Sequence, residues 1–187
     1  MNAFRDKCLP IEQQSWDILE PYLKKRAFDG RYVRTAKGPM SLELQKSVGD
    51  VLVNSSREHV TCIEVKAELQ HTGNLFLERW SNRSRFTPGW FETLTTDLLW
   101  CHFLDKDVVY ELPFVRLRQW MYWHNQRGFP LANRFEQAKQ GKYEQLNDTW
   151  GYLVPLVELK SSSLIRRVFH PELDARHDDL LSEEAIA

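Results

Sequence analysis

The chain has 187 residues, of which 42% are hydrophobic and 12% aromatic, and its formal net charge is −1. The length and the apolar fraction fit a single globular domain with a substantial core. The near-zero charge excludes a globally basic nucleic-acid-binding protein, so any surface for nucleic acid would need positive charge gathered locally.

The first half of the chain contains one predicted helix and several β-rich runs. Apolar residues at helical spacing predict an amphipathic helix from Pro10, which Pro21 should kink or split. The β-rich runs are residues 31–35, 51–53, 60–66 and 74–78. A polar turn between the second and third runs predicts a hairpin, whereas 41–46 is ambiguous between strand and helix. Residues 80–89 are polar, carry arginines and predict an exposed basic loop.

The second half alternates between helices and strands. Helices are predicted over 95–103, with Thr95 or Thr96 as the N-cap, and over 114–123, 131–139 and 163–168. Strands are predicted over 107–112 and 150–159. We expect one α/β domain over residues 1–170, with a central mixed sheet flanked by helices. An acidic, flexible C-terminal tail is expected over 171–187.

Charged residues interrupt two of the β-rich runs at corresponding positions. Glu64 and Lys66 lie two residues apart in a strand and so project from one face. Pairing of 51–53 with 61–65 would bring Asp50 beside Glu64. Two neighbouring carboxylates repel each other when ionised, and Mg²⁺, which prefers oxygen ligands, resolves that repulsion. A bound cation activates water and polarises a phosphodiester, while Lys66 would face developing negative charge. The pattern predicts phosphodiester hydrolysis.

The same three residues also have an ordinary structural interpretation. Aspartate after glycine is common in turns, and Glu-x-Lys on a strand is often an exposed ion pair. Charged side chains within otherwise apolar strands are costly unless they serve a function. That cost favours the catalytic interpretation.

The spacing of these residues resembles a known signature. Gly49-Asp50, followed after thirteen residues by Glu64-Val65-Lys66, is similar to the motif of the PD-(D/E)XK nuclease superfamily, with glycine in place of proline. Further similarity to phage-type members lies in Leu44-Gln45, the 74–78 strand, Gly89-Trp90-Phe91 and Thr96-Asp97. The similar stretch covers about residues 40 to 125.

The resemblance implies a restriction endonuclease-like αβββαβ core that uses Mg²⁺ or Mn²⁺. Asp50, Glu64 and the backbone carbonyl of Val65 would bind the metal, and Lys66 would be the catalytic lysine. Superfamily members often add an acidic residue from the first helix. For that residue we favour Glu20 over Glu12 and Glu43.

Other polar residues are candidates for supporting roles. Gln45 could contact the nucleophilic water or a phosphate, or be an ordinary turn residue. Glu78 could lie close to the site or at an exposed strand tip. Arg79, Arg83 and Arg85, interleaved with Trp80, are the best candidates for contacts with nucleic acid, because arginines bind phosphates and aromatic rings stack on bases. A solvated loop is the alternative.

Several other classes of protein are disfavoured by the sequence. Cys8, Cys62 and Cys101 form no CxxC pair, which argues against a zinc ribbon or disulfide framework and fits a reduced, cytoplasmic setting. We find no signal peptide and no membrane-spanning run. Motifs for phosphate-binding loops, dinucleotide binding and serine hydrolysis are also missing.

The sequence therefore predicts a Mg²⁺- or Mn²⁺-dependent deoxyribonuclease. We expect an endonuclease of phage or mobile-element biology or of DNA repair and recombination, with DNA as partner and a homodimer as a plausible assembly. One alternative is a nuclease-fold subunit that binds nucleic acid or protein without catalysis. Another is an unrelated α/β interaction protein that docks through the aromatic helix at 114–123.

Overall fold

The computed structural model describes residues 3–35, 45, 47–123, 125–126, 129–130, 132, 135–139 and 148–174. The strands in these ranges are β1 (Tyr32–Arg34), β2 (Val51–Asn54), β3 (Val60–Glu68), β4 (Asn74–Asn82), β5 (Thr87–Pro88), β6 (Leu98–Phe103), β7 (Val108–Pro113), β8 (Asn125–Gln126), β9 (Phe129–Pro130), β10 (Glu136–Lys139), β11 (Trp150–Pro155) and β12 (Arg167–Phe169). The helices are α1 (Ala3–Arg26), α2 (Trp90–Thr93), α3 (Phe114–Trp123) and α4 (Leu156–Ser161), with 3-10 turns at Phe28–Gly30 and Leu104–Lys106.

The described strands form a mixed central sheet and a second, smaller sheet. The central sheet has six strands in the order β1-β2-β3-β6-β7-β12, and the second has four in the order β10-β11-β4-β5. β3 and β6 run parallel, whereas the other neighbours in the central sheet are antiparallel. The expectation of a mixed α/β protein with a mixed central sheet is confirmed at this level.

The longest helix, α1, packs on one face of the central sheet. Trp16, Leu19 and Leu23 recur at helical spacing and are buried against that sheet. The helix starts at Ala3, before the predicted start, and continues through both of its prolines instead of splitting at Pro21. Buried residues lie on both sides of Pro21, so packing on the sheet offsets the backbone hydrogen bond that a proline removes.

The predicted hairpin is confirmed as β2 and β3. Val51 pairs with Ile63 across the hairpin, and both pack with Val65 in the cluster beneath α1. Because side chains alternate along a strand, Glu64 and Lys66 project to the opposite face. The first residue of β2 is Val51, so β3 extends beyond its partner at Glu64, and this extension forms one wall of a cleft.

The prediction of a helix over residues 95–103 is wrong. Residues Leu98–Phe103 form β6, and all six are buried. One side of β6 packs in the α1 cluster through Leu98 and Trp100, and the other side packs with the second sheet through Leu99 and Cys101. A strand that is covered on both faces has a continuous apolar run rather than alternation, which does not distinguish it from a buried helix.

Several later elements also differ from prediction. The 74–78 run extends into β4 and joins the second sheet, and 80–89 is largely a β-hairpin rather than an irregular loop. Part of the predicted 131–139 helix is strand β10. The strand from Trp150 ends at Pro155, which precedes α4. No helix forms over 163–168, where residues 163–166 are irregular and the following residues belong to β12. β4 and β12 pair with strands distant in the chain, which local patterns do not reveal, whereas β5 and β10 pair with the neighbouring strands β4 and β11.

Three predicted elements are confirmed with small changes in their bounds: β1, β7 and α3. Phe114, Leu117 and Met121 of α3 are fully buried, so its aromatic face belongs to the core instead of forming a docking surface. Of the proposed C-terminal tail, residues 175–187 lie outside the described residues. Within the described ranges, no helix has the length and apolar character needed to cross a membrane.

Candidate metal centre

Asp50 is held at the start of β2 by a glycine with an unusual backbone conformation. Gly49 has φ +101°, and a Cβ added there would lie 2.9 Å from the carbonyl oxygen of Ile63. Proline is restricted to φ near −65° and cannot adopt this conformation. The Thr35 hydroxyl donates to the Gly49 carbonyl at 2.6 Å, and the Thr35 amide donates to the Asp50 carbonyl at 2.9 Å. The glycine thus allows the chain to approach β3 closely.

The Asp50 carboxylate takes the place of a missing strand partner. Its Oδ2 accepts a hydrogen bond from the Val65 amide at 2.9 Å, and its Oδ1 accepts one from Gln45 Nε2 at 2.5 Å. The Ile63 carbonyl accepts from the Asp50 amide at 2.9 Å. Backbone groups two residues apart in a strand point to the same edge, so the Val65 carbonyl also points to the side of Asp50.

Glu64 is an almost completely buried carboxylate. Only 3% of the residue is exposed, and its Oε1 lies 2.5 Å from Lys66 Nζ. Its Oε2 is buried and has no hydrogen-bond partner in the described part of the chain. Burial, opposed by Lys66 and reinforced by the Asp50 carboxylate, raises the pKa of Glu64 to about 7. A buried anion with an unpaired oxygen is unfavourable unless a cation or proton is supplied.

Lys66 keeps its positive charge in this setting. Burial lowers its pKa, but the carboxylates of Glu64 and Asp50 outweigh that effect, so the pKa is raised overall. Its side chain is 34% exposed, and its Nζ lies 5.0 Å from the centre of the Trp90 ring. A charged lysine of this kind can stabilise negative charge but cannot serve as a base near neutral pH.

These side chains meet in a cleft of about 310 Å³ at the end of the β2–β3 hairpin. α1, the central sheet and the second sheet all contribute to its wall. The lining residues are Ile11, Glu12, Ser15, Trp16, Arg34, Gln45, Asp50, Val65, Lys66, Ala67, Glu68, Phe76, Glu78 and Trp90. The structure therefore brings Asp50, Lys66, Gln45 and Glu78 to one place, with Glu64 paired to Lys66.

The acidic residue that α1 contributes to the cleft is Glu12, not Glu20. Burial and the Asp50 carboxylate raise the pKa of Glu12, and Lys66 lowers it in part. Glu20 lies elsewhere, where it accepts a hydrogen bond from the Tyr32 hydroxyl and pairs with Lys24 at 3.2 Å. Our preference for Glu20 is therefore not supported. Glu43 lies outside the described residues.

The helical repeat of α1 explains this placement. At about 100° per residue, Glu12 falls on the stripe that contains Trp16, Leu19 and Leu23, whereas Glu20 is about a quarter turn away. The next buried polar residue, Ser15, hydrogen-bonds His102 Nδ1 of β6 at 2.8 Å. Burial lowers the pKa of His102 to about 4, so this neutral pair ties α1 to the sheet beside the cleft.

Glu78 reaches the cleft from the second sheet. Its Oε1 accepts a hydrogen bond from the Trp90 amide at 3.3 Å, and burial raises the pKa of its carboxyl group. A Cβ at Gly89 would lie 2.5 Å from the Glu78 carbonyl, so only glycine permits this approach. Glu78 thus positions Trp90 beside Lys66, and it is not the exposed tip of an edge strand.

The arginine-rich segment lies on the β4–β5 hairpin. Arg79 lies over the rings of Trp80 and Tyr152, and Arg83 lies 4.5 Å from the ring centre of Trp150. Arg85 is exposed. Among the described residues, no carboxylate forms a salt bridge with these three guanidinium groups.

The donor set fits a hard divalent cation. Among the described residues, no group of three or more His, Cys, Asp or Glu side chains is arranged to hold a metal ion. Mg²⁺, however, commonly takes one or two carboxylates and keeps several waters. Glu64 Oε2, which has no hydrogen-bond partner among the described residues, and the adjacent Asp50 carboxylate match that requirement.

Sequence reasoning did not identify every residue of the cleft. Arg34 lies 4.3 Å from the ring centre of Trp16, and its buried Nε has no hydrogen-bond partner in the described part. Trp90 was named in the sequence analysis only as part of the family resemblance, and no role in the site was predicted for it. The helical phase of Glu12 relative to the apolar residues of α1 could have indicated its position, whereas nothing local in the sequence indicated Arg34.

Comparisons with protein-family models, curated proteins and solved structures found no match to this chain.

Proposed function

We propose that the protein is a metal-dependent nuclease that hydrolyses DNA phosphodiester bonds. The observation that carries the proposal is the convergence of Asp50, Glu64 and Lys66 at the end of one hairpin. There a buried carboxylate oxygen has no partner. Ordinary surface ion pairs are exposed and tolerate loss of either partner, whereas Glu64 is buried and shares the cleft edge with a second carboxylate. Such a cluster is typical of a functional site.

The order of elements supports a restriction endonuclease-like core. α1 is followed by the antiparallel strands β1, β2 and β3, and then by α2 and β6, which is parallel to β3. This order corresponds to αβββαβ if β4 and β5 are an insertion. The two motif segments would then stand on the second and third core strands.

Asp50, Glu64 and the Val65 carbonyl would hold Mg²⁺ or Mn²⁺, and Glu12, which lines the same cleft, would add a further negative charge. When bound, the metal lowers the pKa of a coordinated water and polarises the phosphate. Gln45 orients the Asp50 carboxylate. Lys66, charged and directed by Glu64, would stabilise the negative charge that develops on the attacked phosphate. The Trp90 ring lies beside the Lys66 ammonium group in the cleft.

DNA is the proposed substrate because arginines and aromatic rings are gathered on one hairpin of a protein with little net charge. Phosphate contacts supply most non-specific affinity for DNA, and a few arginines neutralise few phosphates. A homodimer would add a second basic hairpin and allow paired cuts. The proposed setting is phage or mobile-element biology or DNA repair and recombination.

Cleavage assays on plasmid, single-stranded and branched DNA with Mg²⁺ or Mn²⁺ test the proposal. Asp50→Asn keeps an oxygen that can accept the Val65 amide, so it should fold while losing metal affinity and cleavage. Lys66→Ala should lower turnover by at least about a hundredfold and leave metal binding intact. Glu58→Gln, an exposed carboxylate on the β2–β3 turn, is the control.

Wild-type activity in both the Asp50→Asn and Glu64→Gln variants would refute the proposal. Titration calorimetry with Mn²⁺ separates a nuclease from a nuclease-fold binding subunit, because a pure binding subunit need not bind metal in this cleft. The presence of all three motif residues in contact distance favours the enzyme. Metal binding without cleavage of any nucleic acid would favour the alternative.

A further inference from the structure

The β4–β5 hairpin carries an aromatic side chain that the proposed catalysis does not use. Phe86 is 78% exposed, more than any other large hydrophobic residue in the described part of the chain. Its backbone has φ +54°, a conformation that bulky side chains rarely adopt. The ring touches the protein through the edge of Trp80, with ring centres 6.2 Å apart. The tip therefore presents most of a phenyl ring to solvent.

The hairpin tip is rigid rather than loosely solvated. The Asp148 carbonyl accepts from the Arg83 amide at 2.8 Å, and its Oδ2 accepts from the Ser84 amide at 2.9 Å. The Ser84 hydroxyl donates to the same carboxylate, and Trp150 Nε1 donates to its Oδ1 at 2.8 Å. The Phe86 amide donates to the Arg83 carbonyl at 3.1 Å. These bonds fix the backbone that carries the exposed ring before any ligand arrives.

Positive charge lies on the same hairpin as the exposed ring. Arg85 precedes Phe86 directly and is exposed, and Arg83 lies 4.5 Å from the ring centre of Trp150. An exposed aromatic ring on a hairpin that also carries exposed arginines matches a nucleic-acid strand, since bases stack on aromatic rings and phosphates bind arginine. A second protein surface would have to supply acidic groups around an apolar pocket instead.

We infer that Phe86 stacks on an unpaired base, so that the preferred substrate is DNA with a gap, flap or branch next to a duplex. This inference rests on the proposed function and specifies its substrate. In fully paired DNA both faces of each base are already stacked, and an inserted ring must first unstack a step. An unpaired base offers a free face without that cost.

The hairpin geometry also predicts where cleavage falls. Asn82, the last residue of β4, lies four positions from Glu78 in the cleft, which is about 13 Å at about 3.3 Å per residue. The turn that carries Phe86 extends further, so the ring lies about 15 to 20 Å from the cleft. That span corresponds to about five base pairs. The cut should therefore lie about five nucleotides from the unpaired base.

Binding measurements with EDTA test the inference independently of catalysis. The probes are a duplex and the same duplex with a single-nucleotide bulge of 2-aminopurine, whose fluorescence reports stacking. Wild type should bind the bulged probe more tightly and change its fluorescence. Phe86→Ala should weaken that binding about tenfold and remove the fluorescence change, with less than about a twofold effect on the duplex.

Two control variants complete the design. Phe86→Trp keeps a stacking surface and should preserve the preference. Phe28→Ala removes an aromatic ring of 37% exposure on the 3-10 turn after α1, and it should change neither measurement. A circular dichroism spectrum equal to that of wild type checks that Phe86→Ala is folded.

Equal weakening of both probes by Phe86→Ala would overturn the inference, as would an unchanged affinity for the bulged probe. A shift from dimer to monomer in sedimentation, without loss of the bulge preference, would assign Phe86 to contact with a second copy and also overturn it. A preserved bulge preference without any metal-dependent cleavage would refute the nuclease proposal alone.

Discussion

Replacing Glu64 by glutamine should stabilise the metal-free protein at alkaline pH while removing its response to divalent metal. Burial raises the pKa of this carboxyl group from 4.5 to about 7. Glutamine resembles the neutral acid in shape and carries no charge. Residue 64 of the variant therefore stays uncharged at every pH, whereas wild type must bury a negative charge once Glu64 ionises.

The sign of the effect follows from proton linkage. A carboxyl group whose pKa is raised by folding contributes its full stabilisation when the pH is below the pKa of the unfolded chain. For Glu64, that contribution is lost as the pH rises from 4.5 to about 7. At about 1.4 kcal/mol per pKa unit, the loss amounts to about 3 kcal/mol at pH 8 but less than about 1 kcal/mol at pH 5. For a chain of this size, about 3 kcal/mol shifts Tm by roughly 6 to 12 °C.

Thermal unfolding followed by circular dichroism, in EDTA at pH 5 and pH 8, measures this difference. Glu64→Gln should unfold at a higher temperature than wild type at pH 8, and the gap should shrink at pH 5. Adding Mn²⁺ at pH 8 should raise the Tm of wild type only, because the metal binds the folded carboxylate. Glu58→Gln should match wild type throughout.

A Glu64→Gln variant that is less stable than wild type at pH 8 would refute the reasoning. It would mean that the anion and Lys66 stabilise the metal-free fold as a pair. A Tm gap that does not depend on pH would also refute it, since titration of Glu64 would then play no part.

Three further outcomes are expected. Gly49→Ala should lower the free energy of unfolding, measured in urea, by about 1 to 3 kcal/mol more than Gly73→Ala does. Both glycines have positive φ, but only Gly49 is crowded by backbone. Glu12→Gln should raise the Mn²⁺ dissociation constant about tenfold by calorimetry, whereas Glu20→Gln should leave it unchanged. Ser15→Ala should lower stability by about 1 to 3 kcal/mol, because it leaves a buried imidazole nitrogen without a partner; unchanged thermal stability would contradict this.

The sequence by itself determined the hairpin and the side on which its charges lie. Strand alternation has a period of two residues and depends only on neighbouring positions. It therefore placed Glu64 and Lys66 on one face and Ile63 and Val65 on the other, as the structure confirms. The same local logic, applied to the phase of α1, would have selected Glu12 over Glu20.

Only the tertiary structure decided which segments became neighbours. β6 is a strand because it lies between β3 and β7, although its apolar run fits a helix equally well, and β4 joins β11 across more than sixty residues of chain. The burial of Glu64, and with it the raised pKa, exists only in the folded packing of the chain. Pairing energies between distant strands depend on the whole packing arrangement and leave little trace in local sequence.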